Sequence, residues 1–273
     1  MDSIEYMERE KKMAEYDGLD KVWKSNEADE YFKNLKKPEI FNSGIGKLNR
    51  ILGGFKPGEV VVISGKSGDG KTTLARSLTY DFTLCSHEKH SLWFSYELPP
   101  REFLRKFKEH GMPYFYMPIH LMSADMQWFE DKIIETRCKY NQLDIVFLDH
   151  LHYIVPPTKY QNMSIIIGEA MRSFVRIAHD YNIVLFLIAH IKNIDPKELA
   201  HKEHIRDSSF CVQESDAVIM IRRILPHHTE YNPDMPNCAC LSVEKNRREG
   251  ILQDVDVQLK NGRFYEEISE RSV

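Results

Sequence analysis

The run Gly65-Lys66-Ser67-Gly68-Asp69-Gly70-Lys71-Thr72 fulfils the pattern GxxxxGK[ST]. Glycines at this spacing let the backbone curl until successive N–H groups point at phosphate oxygens, and a helix opening near Lys71 adds the positive end of its dipole. Lys71 then reaches the β- and γ-phosphates, and the Thr72 hydroxyl ligates Mg²⁺. Gly65, Lys66, Ser67, Gly68, Asp69, Gly70, Lys71, Thr72 and Thr73 are the candidate contacts for ATP or another NTP, with Lys66 and Asp69 at variable positions of the loop.

A metal held this way needs a second carboxylate at the end of a buried strand. The run Leu143-Asp144-Ile145-Val146-Phe147-Leu148-Asp149 ends in one. An acid beside an apolar run is costly unless a cation or hydrogen bonds offset it, which favours Asp149 over Asp144 at the opening of the run. Thr72 and Asp149 form the candidate metal pair. Hydrolysis also needs a group to polarise the attacking water. Ser91-Leu92-Trp93-Phe94-Ser95-Tyr96-Glu97 reads as a strand stopped by Pro99 and Pro100, and in an open α/β sheet the carboxyl ends of strands face the ligand crevice. Glu97 is therefore the candidate base, the alternative being a surface acid at a strand end. A further apolar run, Ile183–Ala189, ends at His190, placed either to cap the strand or to bond the γ-phosphate and report its loss to the segment that follows.

These residues need elements to position them. Val60-Val61-Val62-Ile63 is a continuous apolar run, as in a strand buried on both faces of a parallel sheet. Ser91–Tyr96, Asp144–Asp149, Ile183–Ala189, Ala217–Ile221 and Leu241–Glu244 are further strand candidates, separated in several places by helical patterns over Thr72–Thr83, Pro100–Glu109, Ala124–Tyr140 and Ile165–Tyr181. Strands alternating with helices predict a doubly wound α/β sheet.

The chain has 273 residues and a formal charge of −4, with 42% hydrophobic and 29% charged residues. This excludes a wholly disordered chain. No stretch approaches the ~20 apolar residues that span a bilayer, so no membrane partner is expected. Residues 1–40 mix charges of both signs with Tyr6, Tyr16, Trp23, Tyr31 and Phe32, and read as a tail or linker helix without a secretory signal; residues 41–273 read as one ATPase domain. A mildly acidic chain binds nucleic acid only through a local basic patch. Five cysteines without a framework read as reduced thiols. Cys238 and Cys240 alternate on one face of a strand, and with the distant His227 and His228 they lack the spacing of a zinc site. His150 and His152 read as packing groups beside Asp149.

In this order the pieces resemble the DnaB-like replicative helicases of the RecA superfamily. Ser43-Gly44-Ile45 through Gly53-Gly54-Phe55-Lys56-Pro57-Gly58-Glu59 looks like their leading segment; the phosphate loop, Phe94-Ser95-Tyr96-Glu97-Leu98, Phe147-Leu148-Asp149-His150-Leu151, Ile188-Ala189-His190-Ile191-Lys192-Asn193 and Lys245-Asn246-Arg247 follow. His190 and the Lys-Asn-Arg triplet make the likeness nearest to the helicase half of phage primase-helicases and of mitochondrial Twinkle. The resemblance implies a RecA-like P-loop NTPase fold, α/β with a mostly parallel twisted sheet and helices on both faces. It also implies a ring, usually a hexamer, with nucleotide held between neighbours. Lys71, Thr72, Asp149, Glu97 and His190 would serve one side of each pocket. Lys245 and Arg247 match the basic fingers that reach the adjacent subunit's γ-phosphate. Two cations two apart on a strand point the same way, and both can face an anion across an interface; otherwise Lys245 to Arg248 is a solvated turn. Arg223 aligns with an arginine that stacks on the base, but no aromatic partner occurs near Leu259 or Lys260.

Single-stranded DNA would be gripped by loops lining the ring: Lys192, Lys197, Lys202 and Arg206 after the His190 strand, and Lys159 in the segment 156–162. Arg206-Asp207-Ser208-Ser209 stands where the family commonly has an Arg-Gly-Ser-Gly-like run, which removes backbone freedom and adds a negative charge. The resulting expectation is an ATP-dependent, ring-forming replicative helicase that translocates on single-stranded DNA, hydrolysing ATP at subunit interfaces. The alternatives are a RecA-like recombinase, or a regulatory or loading ATPase that binds DNA without unwinding it. The length fits one motor plus its tail, leaving primase and polymerase to separate chains. The expected location is the cytoplasm, or the host cytoplasm for a phage protein, with an organelle or the nucleus left open.

Overall fold

The computed structural model describes residues 3–18, 21–35, 37, 39–84, 88–108, 111–122, 125–155, 163–195, 198–206 and 208–266. Two compact units divide the chain, Met1–Pro38 and Glu39–Val273. The first holds α1 (Ser3–Ala14) and α2 (Ser25–Asn34). No residue of α2 is buried; Trp23 packs on Tyr31 with ring centroids 5.2 Å apart, and Tyr31 meets Phe32 edge-on at 5.4 Å.

The second unit runs α3 (Gly46–Leu52), β1 (Val60–Gly65), α4 (Lys71–Leu84), β2 (Ser91–Ser95), α5 (Pro100–Lys108), β3 (Phe115–Tyr116), α6 (Met126–Tyr140), β4 (Ile145–Asp149), α7 (Met163–Asp180), β5 (Val184–His190), α8 (Ser208–Glu214), β6 (Ala217–Arg223), β7 (Cys238–Asn246), β8 (Asp254–Lys260) and β9 (Arg263–Glu266). The described strands form one sheet in the order β3-β2-β4-β5-β1-β6-β7-β8-β9. Pairings from β3 across to β6 are parallel, and those from β6 to β9 antiparallel.

The apolar run in β1 is buried on both faces because successive side chains serve two cores. Val61 and Ile63 pack with Leu48 of α3, Leu74 of α4 and Phe103 of α5. Val60 and Val62 pack with Ile133 of α6, Phe174 of α7 and Cys211 of α8. The expected α/β architecture, with helices on both faces of a mostly parallel sheet, is the observed one. No described helix is long and apolar enough to cross a membrane.

Register decides which residues meet. Trp93, Phe147 and Phe186 lie side by side on β2, β4 and β5 and stack at 4.6 and 4.8 Å, both pairs within 15° of parallel. This column sets the strands flush at their carboxyl ends, where Ser95 pairs with Asp149 and Gly65 with His190.

The expectation contained no strand beyond Glu244, and there the structure adds a meander. Residues of β8 alternate between exposed and buried up to Val257, and Asn261 and Gly262, both with positive φ, make the tight turn into β9. Ser77 of α4 accepts a hydrogen bond from the Phe264 amide at 2.9 Å. Asp81 of α4, 1% exposed, accepts from the Gly44 amide at 2.8 Å and from Arg263 Nη2 at 2.5 Å. The helix that carries the phosphate loop thus anchors both the leading segment and the last described hairpin.

Candidate functional site

The phosphate loop connects β1 to α4, as the pattern requires. A Cβ at Gly65 would lie 2.3 Å from the Ile221 carbonyl oxygen, so only glycine lets β1 turn there against β6. Gly68, at φ 85°, has open space where a Cβ would stand, which leaves room for phosphate oxygens beside the loop. Lys71 is buried, and its Nζ donates to the Gly65 and Lys66 carbonyls at 3.0 and 2.9 Å. Burial lowers its pKa, against the raising effect of Glu97, Asp69 and Asp149.

Thr72 Oγ1 donates to Asp149 Oδ2 at 2.7 Å. Asp149 is fully buried, and its Oδ1 has no hydrogen-bond partner among the described residues. Burial, then repulsion from Glu97, push its carboxyl up to about 6. A buried carboxylate with one idle oxygen, bonded to a threonine hydroxyl, is a hard oxygen donor set that fits Mg²⁺. Asp144, by contrast, precedes β4 and accepts from the His90 amide at 2.9 Å, a structural role.

Glu97 is exposed and lines, with Ser67, Gly70, Lys71, Thr72 and Lys106, a cleft of about 280 Å³. His190 is half-buried, and its pKa is lowered by burial and then by Lys71 and Arg206. Its ring stands 4.2 Å from that of His150, whose pKa is held down at about 3 by burial and by His190. Both imidazoles are neutral at pH 7, so His190 has one N–H to offer a phosphate and no charge.

On the other side of the loop, Gly68, Thr73, Arg223, Asn237, Leu259 and Phe264 line a cavity of about 70 Å³. Phe264 is the aromatic residue that the sequence lacked near Leu259. It arrives from the next strand as Leu259's cross-strand partner, a placement signalled by the alternation of β8 and the Asn261-Gly262 turn. Asp69 braces the loop, accepting from the Lys66 amide at 3.1 Å and from the Arg223 backbone N–H. The Lys66 ammonium reaches the Asp195 carbonyl at 3.4 Å. Ser67 is exposed at the loop tip.

Lys245 and Arg247 converge, for a reason other than strand alternation. Arg247 lies beyond the end of β7, and both residues reach the carboxyl end of α8. Lys245 Nζ donates to the Val212, Gln213 and Ser215 carbonyls at 2.5, 2.9 and 2.5 Å. Arg247 donates to the Gln213 carbonyl at 2.7 Å and to Asp216 Oδ1 at 2.9 Å. Asp216 Oδ2 in turn accepts from the Val60 amide at 2.9 Å, at the start of β1 and so at the far end of that strand from the phosphate loop.

Of the candidate nucleic-acid contacts, Lys159 and Lys197 lie outside the described residues, as does Asp207. Lys192 and Arg206 are exposed at the base of the segment after β5, closed by the Ile191–Ile205 bridge. Lys202 is not free to face a channel, since its Nζ donates to the Glu244 carbonyl at 2.9 Å. Cys238 and Cys240 share one face of β7 as expected, and no described cluster of His, Cys, Asp and Glu could hold a metal.

Residues 41–110 match the family model described as the DnaB-like helicase C terminal domain. The replicative DNA helicase DnaB of Mycoplasma genitalium is 23% identical over 267 residues, covering 82% of this chain and 56% of that protein; the chain spans about half the length of this curated relative. Two solved structures share the fold. The ATPase domain of one DnaB-like helicase, solved by itself, matches with a TM-score of 0.73 at 14% identity, over 89% of this chain and 96% of that one. A second DnaB-like replicative helicase, solved to show its interactions with primase, matches with a TM-score of 0.71 at 15% identity, over 96% of this chain and 70% of that one. The resemblance to DnaB-like helicases is borne out, and the fold is that of their RecA-like ATPase domains.

Proposed function

We propose that this chain is the motor of an ATP-dependent replicative DNA helicase, acting as a ring, usually a hexamer, that translocates on single-stranded DNA and hydrolyses ATP between subunits. One observation carries the reading. Lys71, Thr72, Asp149, Glu97 and His190 gather at the carboxyl end of the sheet, whereas Arg247 is tied through Asp216 to Val60 at the other end of β1. Six residues of strand separate the two ends, a span of about 16 Å at the strand rise of ~3.3 Å per residue. The finger pair is thus remote from its own phosphate loop and suited to a neighbour's.

In this reading the loop amides and Lys71 hold the phosphates, Thr72 and Asp149 hold Mg²⁺, and Arg223 and Phe264 flank the base. Bound Mg²⁺ would supply positive charge to the β- and γ-phosphate oxygens. Glu97 accepts a proton from the attacking water and orients it. A neighbour's Lys245 and Arg247 stabilise the charge that develops in transfer, and neutral His190 donates one hydrogen bond to the γ-phosphate. Lys192 and Arg206, with Lys159 and Lys197, would contact the DNA backbone; primase and polymerase would be separate chains.

The test is ATP hydrolysis with and without single-stranded DNA, followed by strand displacement from a forked duplex. DNA-stimulated turnover with displacement supports the helicase. Turnover with filament formation and strand exchange points to a recombinase, and binding without turnover to a loading factor; either outcome refutes the proposal.

A further inference from the structure

Glu244, the residue before Lys245 in β7, has no part in the nucleotide site. Its carboxylate hydrogen-bonds His201 Nδ1 at 2.9 Å and accepts from the Lys202 amide at 2.6 Å. Its carbonyl accepts from Lys202 Nζ at 2.9 Å. Three hydrogen bonds at one residue therefore join the segment that follows His190 to the strand that ends in the finger pair. The Glu244 side chain is 15% exposed, so these bonds are largely shielded from water, where charge-assisted contacts are strongest.

The joined arm is also held on its other side. The Lys192 amide donates to the His204 carbonyl at 2.7 Å, and the Arg206 amide to the His190 carbonyl at 2.8 Å. Residues 201–206 are thus strapped between the end of β5 and Glu244. Lys245 is the next residue along the strand, and its ammonium caps α8. A displacement of the arm that pulls on Glu244 is passed through one peptide unit to Lys245 and, two residues on, to Arg247.

We propose that Glu244 is a positioning residue through which a nucleic-acid strand, touching residues 192–206 of one subunit, sets the finger pair that this subunit delivers to its neighbour's nucleotide. His190 links the same segment to the subunit's own γ-phosphate, so the segment has two outlets, one in cis and one in trans. The inference rests on the finger and DNA-contact roles proposed above.

The test uses the full chain carrying Glu244→Ala or Glu244→Gln, with Arg247→Ala as control. The measurements are ATPase rate with and without saturating oligo-dT, oligo-dT affinity and thermal unfolding. Glu244→Ala should keep the DNA-independent rate, the oligo-dT affinity and the unfolding temperature, yet lose stimulation by roughly tenfold, the scale of one charge-assisted hydrogen bond. Glu244→Gln, which retains an acceptor for the Lys202 amide, should recover part of it. Full stimulation in Glu244→Ala overturns the inference, as does a parallel fall of basal rate and unfolding temperature, or a wild-type rate that oligo-dT leaves unchanged. If Arg247→Ala abolishes turnover while Glu244→Ala stays fully stimulated, this inference alone fails; an active Arg247→Ala protein removes the finger reading itself.

Discussion

Replacing Asp81 by alanine should loosen the phosphate-loop helix from the two segments it anchors. The carboxylate is 1% exposed and holds the Gly44 amide at 2.8 Å and Arg263 Nη2 at 2.5 Å, while the Arg263 guanidinium also lies over the Tyr80 and Tyr265 rings, each at 5.4 Å. Removing one member of a buried ion pair costs roughly 3–5 kcal/mol, a large share of the ~5–15 kcal/mol that holds a typical domain folded. Asp81→Asn keeps an acceptor for Gly44 and gives up only the charge, for a cost of about 1–2 kcal/mol. Burial drives the Asp81 carboxyl above its ordinary value, outweighing the bonds from Gly44 and Arg263. An acid raised in this way favours the folded state most when protonated, and that advantage is lost as pH rises through the folded pKa. The penalty of Asp81→Asn should therefore be larger at acidic pH than at neutral pH. Urea unfolding at two pH values measures both quantities, and a cycle with Arg263→Ala isolates the pair. An Asp81→Ala protein within about 1 kcal/mol of wild type would refute the reasoning, and so would an Asp81→Asn penalty that grows with pH.

Glu97→Gln should bind nucleotide normally and lose turnover by about 10²–10⁴-fold; a single-turnover assay showing undiminished hydrolysis would remove Glu97 from its role. Arg247→Ala subunits should be inactive alone and regain partial turnover when mixed with Lys71→Ala subunits, because some interfaces then pair an intact phosphate loop with an intact finger; mixtures that stay inactive would argue against action in trans. Burial, then Arg247, hold the Lys245 ammonium down at about 8, so finger-dependent turnover should fall as pH passes about 8. Stability should move the other way, because a base depressed in the folded state costs stability while charged and recovers it between about 8 and its ordinary 10.5; Lys245→Arg should flatten both profiles, and a wild-type rate unchanged across that range would contradict the assignment. Phe264→Ala should raise the nucleotide KM with little change in kcat, since the ring borders the cavity beside Arg223 and touches no reacting atom; a loss confined to kcat would place its role elsewhere.

The catalytic end of the sheet is legible in the sequence because each of its residues ends an apolar run, and parallel strands in register bring such ends together whatever the intervening loops do. Asp149, His190 and the phosphate loop need only local pattern and that rule. Phe264 escapes it because the rule that places this ring is pairing across a hairpin: proximity in sequence points within a residue of Leu259, while the β8–β9 register supplies the aromatic from five positions further along the chain. Lys202 and Arg247 mislead for a related reason. A basic residue after a motif strand reads as available for an anion, and only the tertiary fold shows that Glu244 and Asp216 already occupy them.

How those cations are occupied bears on what they can do. Lys71 and Lys245 make their hydrogen bonds to backbone carbonyls, which are dipoles, not charges. A phosphate carrying full negative charge competes well against such partners, so each ammonium is held in place yet can exchange to a stronger acceptor at modest cost. Arg247 differs, because Asp216 gives it a full counter-charge. Its transfer to a neighbour's γ-phosphate replaces one anion with another and leaves Asp216 to the Val60 amide. The exchange is close to balanced where the Lys71 exchange is favourable. Arg247 is thus the member of the site most sensitive to small displacements of β7, and the sequence-based view of a simple basic turn could not have distinguished it from Lys245.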